Sequence, residues 1–435
     1  MNRVLIATMP AAGHVGPLLP LARELVRRGH VVAWYTGSEY REKVEAAGAV
    51  FYPHVHAPQR DMTQMDAEFP ERAALKGTAK FKFDIREVFI AAVPGQVADI
   101  EALLDEVRPD VIVAEPGMAA AAKVIEQRHG IPWATCGISA FAMRSVDTAP
   151  FGLGLRPAGS QVGRARNRVL HALINRTLYR AIDRDYHAMR ARLGLEPTPG
   201  GAFEVTLSPH LYLQPTVPSF EYPRRDLAPQ VHFVGPLLPA APAEFTPPAW
   251  WNEMQLDRRP VVLVTQGTIA TDPQKLLIPA LAGLRDEDVQ VIAVTGGPDP
   301  ADLPAPPANA RVERYVPFAA LMPHVSVVVT NGGYGGLHYA LAHGVPVVVA
   351  GASEEKPELV TRVNWSGAGI GMRTQRPSPG RVRNAVRRVL AEPSYAARAR
   401  QLQAEMSYYD GPARAADLVE ELAGVATSAA PSARG

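Results

Sequence analysis

Short apolar runs and amphipathic stretches alternate along nearly the whole chain. Val4 to Thr8 is a β-type run closed by a turn from Pro10 to Gly16, and from Pro17 a helical spacing puts Leu18, Leu21 and Leu25 on one face until Gly29. Val31 to Thr36 reads as a second strand, Ser38 as the cap of a helix running to Gly48, and Val50 to Tyr52 as the start of a third strand. Asp110 to Ala114 and Pro132 to Cys136 extend the series, with an alanine-rich helix between them. Apolar strands joined by helices belong to a parallel sheet covered on both faces, so the pattern predicts a doubly wound α/β fold.

The alternation restarts at Val261 to Thr265, continues through Val289 to Val294 and Val327 to Thr330, and ends in helices near residues 378 to 423. Prolines crowd residues 197 to 260 between the two series. The expected layout is therefore an α/β domain over residues 1–215, a Pro-rich linker over 216–250 and a second α/β domain over 251–405. A helix over 406–424 is expected to pack back on the first domain, with a disordered tail over 425–435. Residues 55 to 90 break the pattern, mixing Met62, Met65, Phe69, Phe81, Phe83 and Phe89 with scattered basic residues. They read as a long irregular insertion that either serves function or covers the core.

The most informative stretch is Asn331-Gly332-Gly333-Tyr334-Gly335-Gly336, where an apolar strand runs into a glycine-rich turn and then a helix. The first N–H groups of a helix have no intrahelical partner and carry the positive end of its dipole, so they attract an anion when glycines let it approach. A nucleotide diphosphate is the expected ligand, although glycines after a strand also serve close helix packing. The strict dinucleotide spacing is missing.

Composition narrows the choice. The chain has 435 residues, 47% hydrophobic and 20% charged, with a net charge of +2 and a pI near 8.6. The arginines read as spread along the sequence, which disfavours a nucleic-acid partner. Cys136 is the single cysteine, which fits a reducing cytoplasm. Arg3 precedes too short an apolar run for a secretory signal, and no segment reaches the ~20 apolar residues of a membrane span. A soluble cytoplasmic enzyme with no stable membrane insertion is expected.

The segments Gly13-His14-Val15-Gly16-Pro17 and Asn331 to Gly336, the linker Phe233-Val234-Gly235-Pro236 and the stretch from Gly344-Val345-Pro346 to Gly369 resemble the family 1 glycosyltransferases of bacterial natural-product and macrolide type. The resemblance covers nearly the whole chain. It implies the GT-B fold, two Rossmann-like halves around a cleft, and transfer of a sugar from a UDP- or dTDP-sugar to a small acceptor with inversion. The nucleotide-sugar is then a co-substrate, with no further cofactor and no metal.

The resemblance also implies residue roles. His14 is the catalytic base and Glu115, where relatives usually carry aspartate, is its charge partner; Glu115 also reads as a cap for the following helix. Gly267, Thr268, Asn331, Gly332, Gly333, Gly335 and Gly336 meet the diphosphate, Tyr315 stacks on the base, and Val316 meets the base edge through its backbone. Glu355 and Lys356 fall where the family reads donor-sugar hydroxyls with Asp-Gln, and Asn331 stands where most relatives have histidine. Phe83, Phe89, Phe141 and Met143 are candidate acceptor walls. Two other readings stay open, a nucleotide-sugar epimerase on the same fold and a noncatalytic sugar-nucleotide binder or auxiliary protein.

Overall fold

A computed structural model describes residues 1–60, 65–239, 245–267, 272–353 and 355–429. Among them the strands form two sheets. The first contains β1 (Arg3–Ala7), β2 (Val31–Thr36), β3 (Val50–Pro53), β4 (Val111–Ala114), β5 (Trp133–Cys136), β6 (Leu211–Gln214) and β7 (Val231–Phe233), in the order β3-β2-β1-β4-β5-β6-β7. The second contains β8 (Val261–Thr265), β9 (Gln290–Val294), β10 (Ala310–Glu313), β11 (Val325–Thr330), β12 (Val347–Ala350) and β13 (Gly369–Met372), in the order β10-β9-β8-β11-β12-β13. Neighbouring strands run parallel in both sheets.

Both sheets are thus wound outward in two directions from a central pair, and the winding reverses between β1 and β4 and again between β8 and β11. Ligands of such sheets bind beyond the carboxyl ends of the strands at that reversal. The central strands are fully buried, β4 as Val-Ile-Val-Ala and β8 as Val-Val-Leu-Val-Thr, because helices cover both faces.

Several expectations are corrected. The stretch 216–250 is more than a linker, since Val231–Phe233 closes the first sheet as its edge strand β7. A three-residue strand among prolines leaves no legible alternation, and an edge position tolerates them. Residues 65–90 are largely helical, in segments Met65–Glu68, Pro70–Ala74 and Gly77–Asp84 followed by a π-helical turn Ile85–Ile90; Met62 lies outside the described residues. The terminal helix Gly411–Ala429 runs past the expected start of a disordered tail at 425. Ser38, expected as a helix cap, makes no side-chain cap; it opens a 3-10 turn to Tyr40 that leads into the helix Arg41–Glu45.

The halves are laced together twice. Ala415, Ala416, Leu418, Val419 and Ala423 of the terminal helix pack with Leu21, Leu25 and Val113 in the core of the first half. Conversely Ala140, Val217 and Phe220 of the first half belong to the same apolar cluster as Leu337, Leu341 and Val363 of the second. Gly235 is required where the chain crosses back: its φ is +84°, and a β-carbon there would lie 2.3 Å from Cβ of Tyr409.

Candidate active site

His14 lies on a one-turn helix, Ala12–Val15, that follows β1 after a short turn. Glu115 immediately follows β4, so the winding reversal of the first sheet puts the two side by side. His14 Nδ1 is 3.1 Å from Glu115 Oε2, with the imidazole 21% exposed and the carboxylate 0%. The distance is that of a hydrogen bond, but the ring nitrogen is not aligned on the oxygen. Catalytic hydrogen bonds commonly tighten only when substrate is bound.

The buried carboxylate is fixed from behind. Its Oε1 accepts from Met9 N–H at 3.1 Å and its Oε2 from Gly117 N–H at 2.7 Å. A β-carbon on Gly117 would lie 2.8 Å from Oε1, so glycine there leaves room for the carboxylate. Glu115 does not cap the helix Ala119–His129, whose N-terminus has no side-chain cap. Burial opposes a charged imidazole, yet the charge of Glu115 and its contact outweigh burial, and Glu355 adds to them. His14 therefore titrates above its ordinary value of 6.5.

Glu355 belongs to the second half, at the N-cap of the helix Lys356–Ser366 after β12. Its charge, although it belongs to the other half, also favours protonated His14. The second reversal point carries the glycine-rich turn. Gly332 follows β11 with φ +91° and donates its N–H to Thr330 Oγ1 at 3.3 Å; Gly333 opens the helix Tyr334–Ala342 with no side-chain cap. Around Gly333, Gly335 and Gly336 a β-carbon would meet nothing within 4 Å, so no other part of the described chain crowds the glycines at this helix start. Gly267, two residues past the end of β8, has φ +73° and similar openness, while Thr268 lies outside the described residues.

Asn331 is differently used than expected. Its Nδ2 donates one proton to the backbone oxygen of Gln266 at 2.5 Å, tying the ends of β8 and β11, which leaves the second N–H and Oδ1 of the amide for other partners. Lys356 packs its stem against Gly351 and approaches Gly332. Tyr315 is 73% exposed, a free ring face at the surface, whereas Val316 is 1% exposed and can offer only its backbone.

The four candidate acceptor walls are not one surface. Phe141 is corrected: it is 1% exposed, with its ring 5.1 Å from that of Tyr212 and under the guanidinium of Arg224, so it is part of the core. Met143 packs beside it, half-buried. Phe83 is 7% exposed and packs edge-on against Phe69, which removes most of it from any ligand. Phe89 remains half-buried on the π-helical turn. Hydrophobic composition alone does not separate a wall from a core position.

Residues that the sequence did not single out join the halves at this point. Gln214 Nε2 donates to the hydroxyl of Tyr334 at 2.7 Å, which meets Thr216 in turn, and Thr216 lies 2.6 Å from His338 Nε2. Burial drives His338 down to about 4, so its ring is neutral. A carbonyl only accepts, so the ring proton is on Nδ1 and donates to Tyr334 O at 2.9 Å; the chain then runs Gln214 to Tyr334 to Thr216 to His338. The first helical residue of the glycine-rich turn is thereby pinned to the end of β6. A tyrosine between glycine pairs was the only sequence signal.

A buried ionic network forms the other link. Arg362 contacts Glu221 at 2.9 Å and Glu358 at 3.0 Å and donates to Phe141 O, while Glu358 Oε1 accepts from Gly152 and Gly154 N–H. Burial disfavours the Arg362 cation, but the two carboxylates hold it above its ordinary range; burial wins at Arg224, lowered to about 10. The helix that starts with Glu355 and Lys356 is thus clamped to the first half.

Among the described residues no group of three His, Cys, Asp or Glu could hold a metal ion, and no helix is long and apolar enough to cross a membrane.

Comparison with known proteins accounts for this arrangement. Residues 278–422 match the C-terminal domain of erythromycin biosynthesis protein CIII-like proteins. The chain is 47% identical over 426 residues to 4'-demethylrebeccamycin synthase of Lentzea aerocolonigenes, covering 97% of this chain and 99% of the relative. It is 33% identical over 436 residues to UDP-glycosyltransferase 2 of Phaeomoniella chlamydospora, covering 97% and 95%. The crystal structure of the calicheamicin glycosyltransferase CalG4 superposes with a TM-score of 0.76 at 24% identity over 99% of this chain and 100% of that one. The chain belongs to the GT-B glycosyltransferases of bacterial natural-product type.

Proposed function

We propose that this glycosyltransferase takes its sugar from a UDP- or dTDP-sugar and moves it, with inversion, to a hydroxyl or similar nucleophile of a small, largely apolar acceptor. The observation that carries the reading is the His14–Glu115 pair at one winding reversal, facing an uncapped helix start at the other. A hydroxyl is a weak nucleophile at neutral pH, so the reaction needs a base that is partly unprotonated there.

In one displacement the acceptor oxygen attacks the anomeric carbon while the bond from that carbon to the diphosphate oxygen breaks. The electron pair leaves with the diphosphate, and the acceptor proton passes to His14 Nε2. Glu115, against Nδ1, stabilises the imidazolium that forms. The departing charge gathers at the N–H groups of Gly332, Gly333, Gly335 and Gly336 and at Asn331, with Gly267 and the next residue in sequence, Thr268, as further donors. Glu355 and Lys356 read the sugar hydroxyls, Tyr315 stacks on the base, and the backbone of Val316 meets its edge. No step is assigned to a metal or other cofactor. An epimerase or a noncatalytic binder has no supporting observation.

Donor recognition is tested by melting the protein with uridine, thymidine and guanosine diphosphates, since a ligand at ~100 times its Kd adds about 2.7 kcal/mol of stability. His14→Ala is expected to lower turnover by about 10²- to 10⁴-fold while keeping that melting shift. An unchanged rate removes His14 from the mechanism.

A further inference from the structure

The helix Gln161–Ile174, continued through a π-helical turn Asn175–Tyr179 into Arg180–Arg192, has two unlike faces. Its inner face is fastened: Asn167 Nδ2 donates to Val146 O at 3.1 Å, and His171 Nε2 lies 3.0 Å from Thr148 O. Its outer face carries Val162, Val169 and Leu173 at the helical repeat, 81%, 67% and 53% exposed. Such a stripe is unusual on a surface helix of a soluble protein, which normally turns polar residues outward.

The charge around the stripe has one sign. Between residues 148 and 182 the sequence holds six arginines and no carboxylate. Arg166 and Arg168 flank the stripe on opposite sides and are exposed, as is Arg176 further along. Arg168 and Arg176 make no ion pair among the described residues; of the acids at the foot of the helix, Asp147 is engaged by Arg164 at 3.7 Å and Arg225 at 3.2 Å, and Asp226 accepts from Ser145 Oγ and Val146 N–H. A groove of about 500 Å³ opens between Arg164, Arg168 and Arg225 beside Val162. Three guanidinium groups around a space of that size suit a phosphodiester headgroup.

We infer that this helix docks the enzyme on an anionic lipid surface. The apolar stripe enters the headgroup boundary and the flanking arginines meet lipid phosphates, the arrangement of an interfacial helix. A nucleic acid would satisfy the arginines but leave Val162, Val169 and Leu173 in water. A second copy of the same face would bury the stripe but set arginine against arginine. The helix also touches the segment that carries Phe83 and Phe89, two candidate acceptor walls: Lys82, beside the π-helical turn Ile85–Ile90, donates to Thr177 O at 3.1 Å. Docking therefore brings that segment toward a bilayer, where an apolar acceptor would be dissolved. The surface argument does not depend on His14, so loss of the proposed mechanism would leave it standing.

The test is co-sedimentation of the full chain with vesicles of phosphatidylcholine alone or mixed equally with phosphatidylglycerol, at low and high salt. Binding is expected on the mixed vesicles only, and to weaken with salt. Arg168→Gln combined with Arg176→Gln should lower partitioning about 25-fold, from about fivefold per arginine. Val162→Ser with Val169→Ser and Leu173→Ser should abolish it while the melting curve stays unchanged, because these side chains are exposed. Equal binding to neutral vesicles, no response to either set of variants, or tighter binding to duplex DNA or RNA than to vesicles would overturn the proposal. So would a dimer in solution that the serine variant dissociates.

Discussion

Glu115 decides how His14 behaves, because its charge competes with burial over the direction in which the imidazole titrates. Glu115→Gln removes the largest opposing charge, so burial should take His14 below its ordinary 6.5 and move the acid limb of the kcat/KM profile to lower pH as the plateau falls. A limb that stays in place would mean that the pair seen at 3.1 Å does not govern the base. The same pair enters stability. Because the folded-state pKa of His14 is raised, its contribution is fully present below pH 6.5 and fades as pH rises through the folded value, so the stability difference between wild type and His14→Ala should shrink over that window. Melting curves of the two proteins across that range measure it.

Among the elements, the helix Tyr334–Ala342 carries the most function for its length. Its N-terminus is left uncapped by any side chain, and its position is set by the hydroxyl of Tyr334, held between Gln214 and Thr216. Tyr334→Phe deletes both links inside a buried chain and should destabilise the protein by about 1–3 kcal/mol, with weaker nucleoside diphosphate binding. Equal melting temperature and equal nucleotide affinity would show that the latch does not position the helix. The helix Lys356–Ser366 obeys the same logic, since Arg362 and Glu358 anchor it while the stem of Lys356 at its start packs near Gly351 and Gly332.

At the scale of the molecule, two sheets of the same winding face each other by their carboxyl ends, and the links across them bury charge. Arg362→Ala would leave Glu358 buried without its ionic partner and Glu221 with only Arg224 at 3.9 Å, at a cost of about 3–5 kcal/mol. Denaturant titration of the variant checks this, and a loss below ~1 kcal/mol would mean that water already reaches the network. The terminal helix returns to the first half and completes its core, so neither half of the chain closes its own surface alone.

The sequence by itself determined the two series of strands, because strands buried on both faces write continuous apolar runs that need no partner to be read. It also offered candidate chemistry at the strand ends: a histidine after the first strand, an acid after the fourth, and a glycine-rich turn that suits an anion or close helix packing, with roles supplied by the family resemblance. The tertiary structure alone decided which polar groups are spent internally. Asn331 ties two strand ends, Tyr334 and Arg362 pin the halves, and Phe141 is core rather than wall. The edge strand Val231–Phe233 and the arginine-flanked face at Val162 likewise emerged only on folding. The physical reason is range: periodicity and turn chemistry are set by neighbours along the chain. Whether an amide, a ring or a guanidinium faces ligand, core or solvent is set by residues from some 65 to more than a hundred positions away.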